Sequence, residues 1–117
     1  QGIIVSNHGG RVLDGAVSAI SALPSIVDVV QQTVPVLMDS GVRRGVDVFR
    51  ALALGADAVL VGQPIACGLA VAGAQGVSHV LRLLRDELEI IMALAGCKTL
   101  DEITPDRVVI PAPFSPY

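Results

Sequence analysis

Three short apolar runs, Gly2-Ile3-Ile4-Val5, Val34-Pro35-Val36-Leu37-Met38 and Ala58-Val59-Leu60-Val61, each stop at a polar or glycine-containing cluster. Runs of this length, rich in Val and Ile and bounded by turn residues, suit strands buried on both faces. A helical segment lies between each pair. After the first run, a loop from Gly9 to Ala16 leads to a helix expected over 24–32, with Pro24 suited to its first turn. After the second, Val46, Phe49, Leu52 and Ala53 mark the apolar face of a helix over 45–54, and Gly55 stands where a helix-ending glycine belongs. The order is βαβαβ. Right-handed crossovers between parallel strands fit both an open doubly wound sheet and part of a (β/α)8 barrel. Composition agrees with the α/β class: 52% of the 117 residues are hydrophobic but only 3% aromatic, as in interior parallel strands covered by helices.

Beyond the third run, Val77, Val80, Leu81, Leu84, Leu88, Ile91, Met92 and Ala95 recur at helical spacing opposite Arg82, Arg85, Asp86 and Glu89. They predict a long amphipathic helix that stops at Gly96 and carries His79 on its polar face. Thr99-Leu100-Asp101-Glu102 has the form of a capping box and predicts a short last helix before Pro105. Residues 109–117 form a Pro-rich tail, expected to be extended from Pro111 to Tyr117. Met38 and Met92 are expected in the core. The chain opens on Gln1, directly before an apolar run, and reads as a fragment of one domain.

A net charge of −3 with few, scattered basic residues argues against a nucleic-acid partner. Cys67 and Cys97 lie far apart in apolar surroundings and read as reduced packing residues, with neither a disulfide nor a metal site implied. No apolar run approaches the roughly 20 residues of a membrane span, and no secretory leader pattern opens the sequence. A soluble, cytoplasmic protein is the expectation.

Each run ends in residues able to do chemistry: Ser6-Asn7-His8, Asp39-Ser40-Gly41 and Gly62-Gln63-Pro64. In parallel β/α folds, active sites form at the C-terminal strand ends. Asp39-Ser40-Gly41-Val42-Arg43-Arg44-Gly45 combines glycines, amides near a helix start and cations, a set suited to a phosphate, with Gly62 in the neighbouring loop able to add an amide. Turn glycines and solvated arginines would explain that loop alone; two adjacent loops of this kind favour the phosphate. His8 and Arg11, separated by two glycines, could meet one ligand: a neutral imidazole accepts a proton, and a guanidinium clamps a carboxylate. Base and clamp together suit oxidation of a 2-hydroxy acid. Asp14 is expected to support the Arg11 loop or cap a turn.

The segments Ser6 to Gly15, Asp39 to Gly45 and Ala51-Leu52-Ala53-Leu54-Gly55-Ala56 closely resemble the FMN-dependent 2-hydroxy-acid dehydrogenases, which include glycolate oxidase, lactate oxidase, flavin lactate dehydrogenase and mandelate dehydrogenase. The resemblance runs from Gly2 to about Val108. It implies a TIM barrel with FMN at its C-terminal face, of which 1–117 would be the C-terminal part, strands six to eight plus the closing helices. By that resemblance His8 is the catalytic base, Arg11 binds the substrate carboxylate and Ser6 contacts the flavin. Asp39, Ser40, Gly41, Val42 and Arg43, with Gly62 and Gln63, correspond to the ribityl-phosphate site. A small L-2-hydroxy acid of the lactate or glycolate type would become a 2-keto acid, its electrons passing through flavin N5 to oxygen, a quinone or a cytochrome. The full-length parent is expected to be a homo-oligomer, a tetramer.

Two departures bear on these expectations. Gly62-Gln63 stands where the family usually has Gly-Arg, which removes a cation from the phosphate site unless Arg43 and Arg44 compensate. Strands one to five are absent, with the family's active-site tyrosines and the lysine near the flavin, so the chain alone is expected to be inactive and to fold poorly or associate. Two other readings fit parts of the sequence: a non-catalytic FMN-binding or interaction remnant, and another phosphate-binding barrel enzyme acting on a nucleotide.

Overall fold

The computed structural model describes residues 1–109, so the tail expected beyond Val109 lies outside the described residues. Three strands, β1 (Ile3–Val5), β2 (Val36–Met38) and β3 (Ala58–Val59), alternate with helices α1 (Ala19–Val30) and α2 (Gly45–Ala53). Helix α3 (Gln63–Ala95) follows β3, and short 3-10 turns occupy His8–Gly10, Leu100–Glu102 and Pro105–Arg107. The sheet is parallel in the order β1-β2-β3, with Val5 beside Met38 and Met38 beside Val59.

The pleat sends Val5, Val36 and Met38 to one face, where they pack with Ala19, Leu23 and Val30 of α1 and Ala51 of α2. Leu23 and Met38 are wholly buried, each stabilising the fold by about 1.5–3 kcal/mol. The row Ile4, Leu37 and Ala58 faces the other way, and Ile4 is 56% exposed. Both crossover helices therefore cover one face of a sheet whose strands follow in sequence order. Barrels are built this way, whereas a doubly wound sheet reverses its order to carry helices on both faces.

Helix α1 starts earlier than expected. Ser18 caps it, its Oγ accepting from the Ser21 amide at 3.3 Å, and Pro24 falls inside the helix instead of in its first turn. The sheet-facing stripe explains the difference: Ala19 and Leu23 precede Pro24 and are buried, so packing extends the helix upstream despite the missing proline N–H. Helix α2 matches its predicted span. Asp47 Oδ2 accepts the amides of Arg43 at 3.1 Å and Arg44 at 3.0 Å, serving donors at the helix start. Gly55 (φ 98) ends α2, and a Cβ there would lie 2.8 Å from Val27 Cγ1.

Helix α3 starts at Gln63, well before the amphipathic stretch predicted from Val77. Its early residues include many small ones and alternate at no clear period, so the apolar pattern did not mark them. The backbone leaves helical geometry at Ala72 (φ −146) and Gly73 (φ 58), and the helix folds back so that Gly68 and Gly76 touch. A Cβ on Gly76 would overlap the Gly68 carbonyl oxygen. Contrary to the sequence expectation, α3 has the length and hydropathy of a membrane span; the reversal, however, divides it into two arms. The second arm carries Arg82, Arg85, Asp86, Glu87 and Glu89.

That second arm packs on α2, where Leu88, Ile91, Met92 and Ala95 close over Phe49, Ala53, Cys97 and Ile103. Met92 is thus only partly buried. Gly45 makes the approach possible, since a Cβ there would overlap the Leu88 amide nitrogen. Cys97 is buried as expected, but Cys67 is exposed on the first arm, correcting its reading as a packing residue. The capping box at Thr99 does not form. Glu102 Oε2 accepts from the Lys98 amide at 2.8 Å, and the Cys97 thiol donates to the Glu102 carbonyl at 3.3 Å, holding a single 3-10 turn where a helix was expected.

Two expectations follow. Expressed alone, the chain should associate, because β1 and β3 present unpaired edges and Ile4 and Leu60 (41% exposed) lie open; a monomer with a cooperative melt in sedimentation and calorimetry would contradict this. Gly45→Ala, in a chain long enough to melt cooperatively, should cost about 1–3 kcal/mol by overpacking against α3, read from the denaturation midpoint.

Candidate functional site

The register brings the C-terminal ends of all three strands to one edge. The segments that follow them enclose a cleft of about 750 Å³, lined by Ser6, His8, Arg11, Asp39, Ser40, Gly41, Val42, Arg43, Gly62 and Gln63. Every residue to which the resemblance assigns a role thus borders one space. Gly9, Leu60, Val61 and Ala66 border it as well and were not selected.

The first wall is a tight turn after β1. His8, Gly9 and Gly10 all take positive φ (55, 71 and 72), a conformation that disfavours an L side chain by about 1–2 kcal/mol at His8. Hydrogen bonds hold it there. Ser6 Oγ accepts from the His8 amide at 3.1 Å, and Asn7 Oδ1 accepts from the Gly10 amide at 3.0 Å while Asn7 Nδ2 donates to the Val17 carbonyl at 3.3 Å. The turn leaves His8 and Arg11 exposed along the same cleft. Asn7 is the residue that the sequence reading quoted without a role, and its side chain braces the turn as asparagines in turns do. Asp14 Oδ1 accepts from the Gly15 amide at 3.1 Å and caps its own turn.

The second wall is the loop from β2 to α2. Ser40 and Gly41 take φ of 72 and 77, and a Cβ on Gly41 or Gly62 would meet nothing within 4 Å. These two glycines therefore leave room on the cleft side. Among the described residues, the backbone amides of Gly41, Val42 and Gly62 donate no hydrogen bond to a protein group. Val42 contributes its backbone alone, because its side chain belongs to the core. Arg43 Nη2 donates to Gln63 Oε1 at 3.0 Å, so Gln63 holds the guanidinium at the rim. Uncommitted amides and a guanidinium form a donor set that fits a phosphate monoester.

Arg44 is not part of this set. Its Nη2 lies 3.4 Å from Glu87 Oε1, and Glu87 Oε2 accepts from the Gly45 amide at 2.8 Å. The two adjacent arginines divide, Arg43 to the cleft and Arg44 to the α2–α3 contact. Of these two arginines, Arg43 is the one placed to compensate for Gln63.

Residues 1–110 match the family described as FMN-dependent dehydrogenase. An L-lactate oxidase of Roseobacter sp. (strain GAI101) is 63% identical over 106 residues, covering 91% of this chain and 29% of its own length. A peroxisomal (S)-2-hydroxyacid oxidase of Arabidopsis thaliana is 58% identical over 108 residues, 92% of this chain and 30% of its own. Among solved structures, a mandelate oxidase variant with a monooxide FMN adduct superposes with a TM-score of 0.84 at 52% identity, over 87% of this chain and 32% of that one. The chain spans about 30% of the length of the curated relatives it matches. With nearly its whole length matched, it belongs to the FMN-dependent dehydrogenase family.

Proposed function

We propose that the chain is the C-terminal part, strands six to eight with the closing helices, of a (β/α)8-barrel enzyme that uses FMN to oxidise a small L-2-hydroxy acid to the 2-keto acid. The observation that carries this reading is the common cleft: His8 and Arg11 line it together with Arg43 and the uncommitted amides of Gly41, Val42 and Gly62. The one-sided cover of the sheet supports the barrel, and the names of the relatives, L-lactate oxidase and (S)-2-hydroxyacid oxidase, support the substrate class.

In this reading the loop Asp39 to Arg43, with Gly62 and Gln63, binds the ribityl phosphate, and Ser6 contacts the flavin. Arg11 holds the substrate carboxylate by paired hydrogen bonds, fixing the C2 carbon and its hydroxyl relative to His8. His8 takes a proton on its imidazole in either version of the reaction: the hydroxyl proton where C2 gives up a hydride, the C2 proton where a carbanion forms. Bound FMN supplies the two-electron acceptor at N5. The bracing of the His8 turn by Ser6 and Asn7 keeps the base from swinging out of line. The remaining strands belong to the rest of the parent, which assembles as a homo-oligomer and passes electrons on to oxygen, a quinone or a cytochrome. Without those strands, this chain is inactive.

In the parent, His8→Gln should leave the bound-flavin spectrum in place and slow anaerobic reduction by lactate or glycolate about 10²- to 10⁴-fold, as loss of a general base does; undiminished reduction removes the base assignment. Gln63→Arg should tighten FMN about tenfold, the gain from one added charged hydrogen bond, and leave riboflavin nearly unchanged in fluorescence titrations. An equal gain for both flavins would refute the phosphate assignment.

A further inference from the structure

Ser40 has a left-handed backbone (φ 72) that a glycine would adopt without strain. What a serine adds at this position is its hydroxyl, and that hydroxyl is fully occupied by protein. It donates to Asp39 Oδ1 at 2.6 Å. It accepts from the Asn7 amide at 3.3 Å and from the Gly9 amide at 3.0 Å. One proton and two lone pairs are the whole capacity of a hydroxyl, so none remains for a ligand. Asp39 takes the proton, which leaves both lone pairs for amides.

The two amides it receives belong to the residues immediately before and after His8. Its bonds therefore cross from the end of β2 to the turn after β1 and grip that turn on both sides of the imidazole. His8 itself has a positive φ, a conformation that persists only where its surroundings impose it. We infer that Ser40 is a positioning residue: its hydroxyl latches the His8 turn to the phosphate loop, so the base is held in register with the group bound beside it. Any cofactor contact from this position comes from its backbone. The inference rests on the reading of His8 as the base.

The test uses the FMN-loaded full-length protein that carries these residues, with Ser40→Gly and Ser40→Ala. Both delete the hydroxyl; the glycine variant also relieves the backbone and so keeps the test independent of a variant that fails to fold. Amide hydrogen exchange over residues 7–10 should speed up about tenfold or more in both, as expected for the loss of two hydrogen bonds. Flavin reduction by the hydroxy acid should slow by about tenfold or more, with the FMN dissociation constant within about threefold of the parent value. Unchanged exchange would overturn the latch, and faster exchange with unchanged reduction would overturn its positioning role. A loss of FMN affinity that parallels the loss of reduction would make the hydroxyl a flavin ligand and overturn the inference. Should the unsubstituted protein reduce no flavin with any 2-hydroxy acid, the proposed function fails, and the positioning role falls with it, while the exchange measurement still decides whether the latch exists.

Discussion

Parallel pairing of β2 between β1 and β3 is the constraint on which the rest of the molecule depends. It aligns Val5, Met38 and Val59, so the three following segments leave the sheet at the same edge and in the same direction. Residues more than thirty positions apart in sequence, such as Gly9 and Ser40, come within hydrogen-bonding distance as a consequence. An antiparallel partner would have sent one loop to the opposite edge. The same register assigns Val36 and Met38 to the helices and Leu37 to the open face, and a one-residue slip would exchange them.

Charge is distributed with similar economy at the start of α2. Asp47 gathers the amides of Arg43 and Arg44, which fixes the direction in which each side chain departs. Arg43 turns to Gln63 and Arg44 to Glu87. Both pairs are exposed, and pairs of that kind add little stability. Their contribution is placement: one cation stays beside uncommitted amides, where an anion would find it.

How much of this could be read from the sequence depended on how local the cause was. Helix α2 was legible because Val46, Phe49 and Leu52 repeat at helical spacing and Gly55 closes them. The residues around the cleft were legible because each polar cluster directly follows an apolar run, and a parallel sheet brings such ends together. The start of α1 was not, since Pro24 is a stronger local signal than Ser18, and the burial of Leu23 that overrides it is a tertiary fact. The first arm of α3 was hidden by its small residues. The Thr99 capping box failed because Glu102 found the Lys98 amide. The bonds from Ser40 to the His8 turn and from Glu87 to Gly45 span long stretches of chain and leave no mark in local composition.

The reversal of α3 at Ala72 and Gly73 does more than shorten a helix. Gly45 fastens the second arm to the start of α2, Gly68 and Gly76 fasten the first arm to the second, and Gln63 at the tip of the first arm returns to Arg43, two residues from Gly45. The chain thus closes a mechanical ring whose links are two glycine-to-backbone contacts and one hydrogen bond. The spacing of Gln63 and Arg43 is therefore bounded from two sides, by the pairing of β3 with β2 and by how closely two helices can touch where no side chain stands between them.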